Sequence, residues 1–146
     1  MRPITHIVIH TAAAKSKDGK PVDQSAQIIR DYHMSSRGWS DIGYHYVIRF
    51  DGRVEPGRPI TRPGAGVEGF NAKTIHVCVT GHGDIADFTL LQKHSLQRLV
   101  VELLDRFNLM DEFLANPMRV LGHRECYQLP GVPDTGKTCP GTKVSM

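Results

Sequence analysis

The chain has no run approaching the roughly 20 apolar residues that a bilayer-spanning helix needs. The apolar stretch near the N-terminus, Ile4-Thr5-His6-Ile7-Val8-Ile9-His10, is short and interrupted by His6. It has neither the h-region nor the small-residue cleavage site of a signal peptide, so we expect synthesis in the cytoplasm, no Sec signal and no stable membrane insertion. Cysteine is scarce and odd in number: Cys78, Cys126 and Cys139. A disulfide framework would favour an even set. There is no long Lys/Arg run, no zinc-finger spacing and no aromatic-basic motif, so no nucleic-acid partner is expected. No His-Glu-x-x-His occurs, which argues against a generic metallopeptidase. Repeats and low-complexity tracts are absent too.

What is present fits one compact domain over residues 1–146. Hydrophobic residues make up 40% and charged residues 23%, ordinary proportions for a globular protein. The net charge of +3 suits an anionic partner weakly, and a solvated mixed-charge surface equally well.

The hydrophobic pattern predicts a strand over 4–10, then a polar loop over 11–21. A helix is predicted from Ser25 to Ser35, with Ala26, Ile29, Tyr32 and His33 on one face. A hairpin follows: strand 44–50, turn Asp51-Gly52, return from Arg53 to Glu55. Residues 56–73 are rich in Pro and Gly and form a candidate groove wall. Another buried strand is predicted over 74–80. The clearest helix spans 90–107, where Thr89 and Gln92 make a capping box and Leu96, Leu99, Val100, Leu103, Leu104 and Phe107 recur at helical spacing. A short strand near 119–121 leads to His123, and the tail reads as loop. This order implies an α/β fold with a mixed sheet flanked by helices.

His10 and His123 both end strand-like runs, and Cys139 lies in Lys137-Thr138-Cys139-Pro140. Two imidazoles and one thiolate would hold zinc with its fourth position open, the ligand set of a hydrolytic site. Lys137 precedes Cys139 by two, so a nearby cation favours the thiolate, and in an extended segment both face one way. Spacing alone does not bring the three ligands together in space.

The segments Ile7-Val8-Ile9-His10-Thr11-Ala12, Gly38-Trp39-Ser40-Asp41-Ile42-Gly43-Tyr44-His45-Tyr46-Val47-Ile48, Asp51-Gly52-Arg53-Val54-Glu55-Pro56-Gly57-Arg58, Gly69-Phe70-Asn71, Leu121-Gly122-His123-Arg124-Glu125 and Lys137-Thr138-Cys139-Pro140 occur in an order that resembles the zinc N-acetylmuramoyl-L-alanine amidases. That class contains the phage T7-type lysozymes and the peptidoglycan recognition proteins. The resemblance implies His10, His123 and Cys139 as ligands of one Zn2+ per chain, and Tyr44 and Lys137 as catalytic groups. It implies a surface zinc groove, a monomer, and bacterial peptidoglycan as substrate, cut between N-acetylmuramic acid and L-alanine. A phage endolysin, acting on the wall after release, is the simplest setting. Trp39, Phe70 and Asn71 are candidate substrate contacts, with packing or loop-fixing as the competing roles. Glu125 is a candidate supporting group, and His45 is expected to face away from Tyr44 in a structural role. His33, His76, His82 and His94 receive none. One departure stands out: many relatives carry a histidine in the loop before Gly69, where this chain has Gly66. A non-catalytic wall-binding module and an amidase that also regulates an RNA polymerase are the competing functions.

Overall fold

The computed structural model describes residues 2–145. Five strands, β1 (His6–Thr11), β2 (Tyr46–Ile48), β3 (Val54–Pro56), β4 (Thr74–Val79) and β5 (Val120–Gly122), form one sheet in the order β3-β2-β4-β1-β5. β4, β1 and β5 run parallel, β2 joins β4 in parallel, and β3 closes the edge as the antiparallel arm of the β2–β3 hairpin. Three helices complete the fold: α1 (Ala26–Arg37), α2 (Leu90–Arg106) and α3 (Met110–Ala115).

Parallel strands covered on both faces carry apolar residues on both, and β1 and β4 do. Ile7, Ile9, Ile75, Val77 and Val79 pack with Leu96, Leu99, Leu103 and Leu104 of α2. Burying each such side chain contributes about 1.5–3 kcal/mol. On the opposite face, Ala26 and Ile29 of α1 pack with Ile42, Val47 and Cys78, while Val8 and Leu121 pack with Val67 and Cys126. The sheet thus has a greasy α2 face and a second face whose apolar cover is split into two patches. The polar groups of the site lie on that second face.

The capping box of α2 forms as its sequence requires, with Thr89 and Gln92 bonding reciprocally. Gln92 is buried, and its Nε2 also donates to the carbonyls of Ile48 and Thr80. α1 is capped by Ser25 and ends at Gly38, whose φ of 68° is left-handed. Ala26, Ile29 and His33 are its buried face, whereas Tyr32 is 53% exposed. α3 escapes the sequence pattern because it is short, has no side-chain cap and buries none of its residues. β2 is shorter than expected. The backbone over 41–45 is irregular, held by bonds from Ala65 N–H to Gly43 O and from Gly57 N–H to His45 O. Among the described residues no helix is long and apolar enough to cross a membrane.

Candidate active site

Side-chain alternation decides what reaches the second face. Along β1, Ile7 and Ile9 enter the α2 core, so Val8 and His10 point the other way. Along β4, Ile75, Val77 and Val79 enter that core, so His76 and Cys78 point the other way. Register then sets His10 beside Cys78 and Val8 beside His76. His10 is almost completely buried. Its Nδ1 lies 3.7 Å from Cys139 Sγ and its Nε2 lies 2.9 Å from His76 Nδ1.

His123 opens a 3-10 turn, His123–Gln128, directly after β5. Glu125 fixes that turn by accepting the Gly122 N–H at 2.8 Å. The His123 ring stands edge-on to His10 at 5.1 Å between centroids. Its Nε2 is 3.5 Å from the Tyr127 hydroxyl, which in turn meets Thr135 Oγ1 at 2.8 Å. Cys139 comes from the C-terminal loop, which contains no regular element. Asp84 holds that loop at two points, accepting from Thr138 Oγ1 at 2.7 Å and Thr142 N–H at 2.8 Å. The Arg124 N–H donates to the Cys139 carbonyl at 2.8 Å, and the Thr11 N–H donates to Cys139 Sγ at 3.2 Å. Gly83 faces Pro140 so closely that a Cβ there would stand 1.8 Å from its carbonyl oxygen, so only glycine allows this approach.

One ligand atom from each of His10, His123 and Cys139 lies within 4.8 Å of the others. A tetrahedral zinc with bonds of about 2.3 Å to sulfur and about 2.0–2.1 Å to nitrogen separates those two atoms by about 3.6 Å. The 3.7 Å between Cys139 Sγ and His10 Nδ1 matches that edge. The donor set and this edge therefore fit a tetrahedral metal of zinc's chemistry.

Electrostatics support metal binding at the imidazoles and tax it at the thiol. Burial, then the charges of neighbouring histidines and Lys137, hold His10 well below its usual pKa of 6.5. Burial and then Lys137 lower His123 to about 4. Both rings are neutral at pH 7, the form that ligates. Cys139 departs from the sequence-based expectation. Lys137 and the Thr11 N–H do favour its thiolate, but burial outweighs them and the thiol rises to about 12. Metal binding must therefore expel the thiol proton.

The other expected residues separate into two groups. Tyr44, Trp39 and Lys137 line the same groove as His10, His123 and Cys139, a cavity of about 710 Å3. The Tyr44 ring lies 5.1 Å from that of His10. Burial, then the neighbouring Cys78 and Cys139 sulfurs, keep its phenol protonated far above pH 10. His33 supports Tyr44 from α1: it accepts the Gly43 N–H at 2.9 Å, and its ring contacts Trp39 and Tyr44. Phe70 is set apart. It packs on His6 and the Val8–Leu121 patch, not on the groove wall. Asn71 reaches the groove, but its Oδ1 is committed to the N–H groups of Gly66 and Val67, which shapes the loop wall.

His45 does not face away from Tyr44. The irregular backbone over 41–45 breaks strand alternation, and the His45 ring stacks on His76 at 5.9 Å with 7° between planes. It is a structural residue nonetheless: Nδ1 accepts the His76 N–H at 3.0 Å and Nε2 meets the Arg62 carbonyl at 2.9 Å. Sequence reasoning missed His76, Tyr127, His33 and Asp84. His76 leaves a signal as a histidine inside an otherwise apolar strand run, and His33 as the histidine on the apolar face predicted for α1.

With this geometry established, comparison with known proteins gives the lineage. The family model for N-acetylmuramoyl-L-alanine amidase matches residues 1–142. The chain belongs to this family. It is 38% identical over 104 residues to the endolysin of Klebsiella phage KP32, covering 68% of this chain and 66% of that one. It is 37% identical over 106 residues to the endolysin of Escherichia phage T7, covering 69% and 67%. The chain thus spans about two thirds of the length of these curated relatives. Among solved structures it superposes on the N-acetylmuramoyl-L-alanine amidase LysC from Clostridium intestinale with a TM-score of 0.76 and 27% identity, over 98% of this chain and 80% of that one. The match to the endolysin of Thermus scotoductus bacteriophage Ph2119 has the same TM-score, with 28% identity over 97% and 80%.

Proposed function

We propose that this amidase-family chain is a zinc enzyme that hydrolyses the amide joining the lactyl group of N-acetylmuramic acid to L-alanine in bacterial peptidoglycan, in the manner of a phage endolysin. The observation that carries this reading is the convergence of His10, His123 and Cys139 in a groove that also holds Tyr44 and Lys137. When bound, zinc supplies Lewis acidity, polarising a carbonyl and lowering the pKa of water.

The chain's own residues do the rest. His10 and His123 present neutral imidazoles from rigid strand ends. Cys139, held from both sides by Thr11 and Arg124, gives up its proton to become the third ligand. Tyr44 is retained as a phenol, so it acts as a hydrogen-bond donor to the developing oxyanion and not as a base. Lys137, exposed on the groove rim, brings an ammonium to the same oxygen. A positioned donor of this kind contributes about 3–4 kcal/mol to the transition state. Trp39 offers an aromatic wall beside Tyr44 to the bound polymer. Asn71 and Phe70 shape and support the groove, and neither is assigned a substrate contact.

The test is digestion of purified peptidoglycan, scoring new L-alanine amino termini against new reducing sugar ends. The proposal predicts alanine termini without reducing ends, abolished in Cys139→Ala. Reducing ends would assign the chain to glycan cleavage instead, and binding without either product would make it a recognition module.

A further inference from the structure

His76 is a buried imidazole that the reaction just described does not use. Its Nδ1 lies 2.9 Å from His10 Nε2, the ring atom that His10 turns away from Cys139. Its backbone N–H is tied to His45 Nδ1, and its ring is stacked on the His45 ring. From the loop side Gly66 closes against it: a Cβ at position 66 would stand 2.3 Å from His76 Nδ1. The ring is thus clamped between His10, His45 and the Gly66 backbone.

We propose that His76 is a positioning residue for the metal site: its Nδ1 accepts the Nε2–H of His10, fixing the tautomer that leaves His10 Nδ1 free to ligate, with Gly66 keeping the space this imidazole needs. The inference rests on the zinc reading of the site. Two ring nitrogens share one hydrogen bond, so only two proton placements are possible. If His76 Nδ1 carried the proton, His10 would receive it at Nε2 and hold its own proton on Nδ1, toward Cys139. That tautomer cannot ligate through Nδ1. The opposite placement can, and outer partners of this kind orient metal-bound imidazoles generally.

A second observation separates this role from simple packing. His76 Nε2 is buried and has no hydrogen-bond partner among the described residues. In the ligating arrangement that atom is an unpaired N–H donor, which costs folding stability. An apolar side chain of similar size would avoid that cost. The fold keeps at this place a residue that serves His10 better than it serves the core.

The test compares His76→Leu, His76→Asn and wild type for zinc affinity, by chelator competition, and for melting of the metal-stripped protein. Asn places an amide oxygen near the position of Nδ1, so it retains the acceptor that Leu removes. The expected result is a 10–100-fold weaker zinc affinity in His76→Leu, recovery to within about threefold of wild type in His76→Asn, and no fall in the melting temperature of metal-stripped His76→Leu. Equal affinities in Leu and wild type would overturn the proposal, as would equal losses in Leu and Asn. Should His76→Leu fail to fold, 15N spectra of the zinc-loaded wild type decide the question. They should show His10 protonated at Nε2, and protonation of His76 at Nδ1 instead would overturn the proposal. If the wild type itself binds no zinc, the metal reading fails and the positioning role falls with it; zinc binding indifferent to position 76 removes the positioning role alone.

Discussion

Tyr44 and Lys137 sit in one groove, yet the protein holds them by opposite means. Burial keeps Tyr44 a neutral donor, while Lys137 stays at the exposed rim as a cation. Each is assigned to the transition state and neither to the metal. Tyr44→Phe and Lys137→Met should therefore lower kcat on purified peptidoglycan by on the order of 10²–10³-fold, with zinc content unchanged at one per chain. Zinc quantified beside the rate checks the division: loss of metal in either variant would move that residue from the chemistry to the site's construction. At this scale the sequence was legible wherever a motif carried the residue. The family resemblance names His10, His123, Cys139, Tyr44 and Lys137, and all five line the groove. His76 was not legible, because β4 is apolar on both faces and a buried strand with no alternation hides which side a histidine takes. The Cys139 thiol departs from its sequence neighbourhood for a different reason. Spacing reveals Lys137 as a neighbour but says nothing of burial, and burial is the larger influence.

Among the elements, the strands deliver His10 and His123 while a loop without regular structure delivers Cys139. Such a segment needs anchors, and Asp84 supplies two of them from the turn after β4. Asp84→Ala removes both bonds without touching a ligand. It should weaken zinc binding about 10-fold by chelator competition, with little change in the melting of the metal-stripped protein. Unaltered affinity would mean that Gly83, Arg124 and Thr11 hold the loop unaided. Local chemistry made some elements easy to read and others not. The α2 leucine stripe and its capping box specify the helix before any tertiary contact, and Ser25 and Gly38 bracket α1 similarly. The strand propensity of Tyr44 and His45 predicts a longer β2 than Tyr46–Ile48, yet the backbone there is irregular and tied by bonds to residues 57 and 65. No local pattern encodes those bonds, and the same bend brings Tyr44 to the face that Val47 and His45 already share.

Across the whole molecule, the second sheet face concentrates imidazoles in the protein interior. His33, His45 and His123 are lowered to about 4, chiefly by burial, and burial likewise holds His10 and His76 well below 6.5. All are neutral when folded and titrate near 6.5 when unfolded. Between pH 6.5 and 4 the unfolded chain binds more protons, so stability is full above that window and falls as the pH drops through it. Each fully buried histidine contributes up to about 1.4 kcal/mol per pH unit. The urea midpoint of the metal-stripped protein should therefore decline steeply from pH 6.5 to 4.5, and a flat midpoint would contradict the assignment of neutral, buried rings. The fold tolerates this acid sensitivity because the polar face is where the site is built. The α2 face, made of aliphatic side chains, carries the core, and the division follows from which residues alternate outward along β1 and β4.

In the function proposed above, one zinc held by His10, His123 and Cys139 turns this groove into an amidase. Its most direct test is reconstitution: metal-stripped protein titrated with Zn2+, following bound metal and release of L-alanine amino termini from peptidoglycan together. Activity should rise in proportion to bound zinc and level off at one ion per chain, and Cys139→Ala should gain neither. Full activity in the stripped protein, or zinc uptake by Cys139→Ala equal to that of the wild type, would contradict the claim.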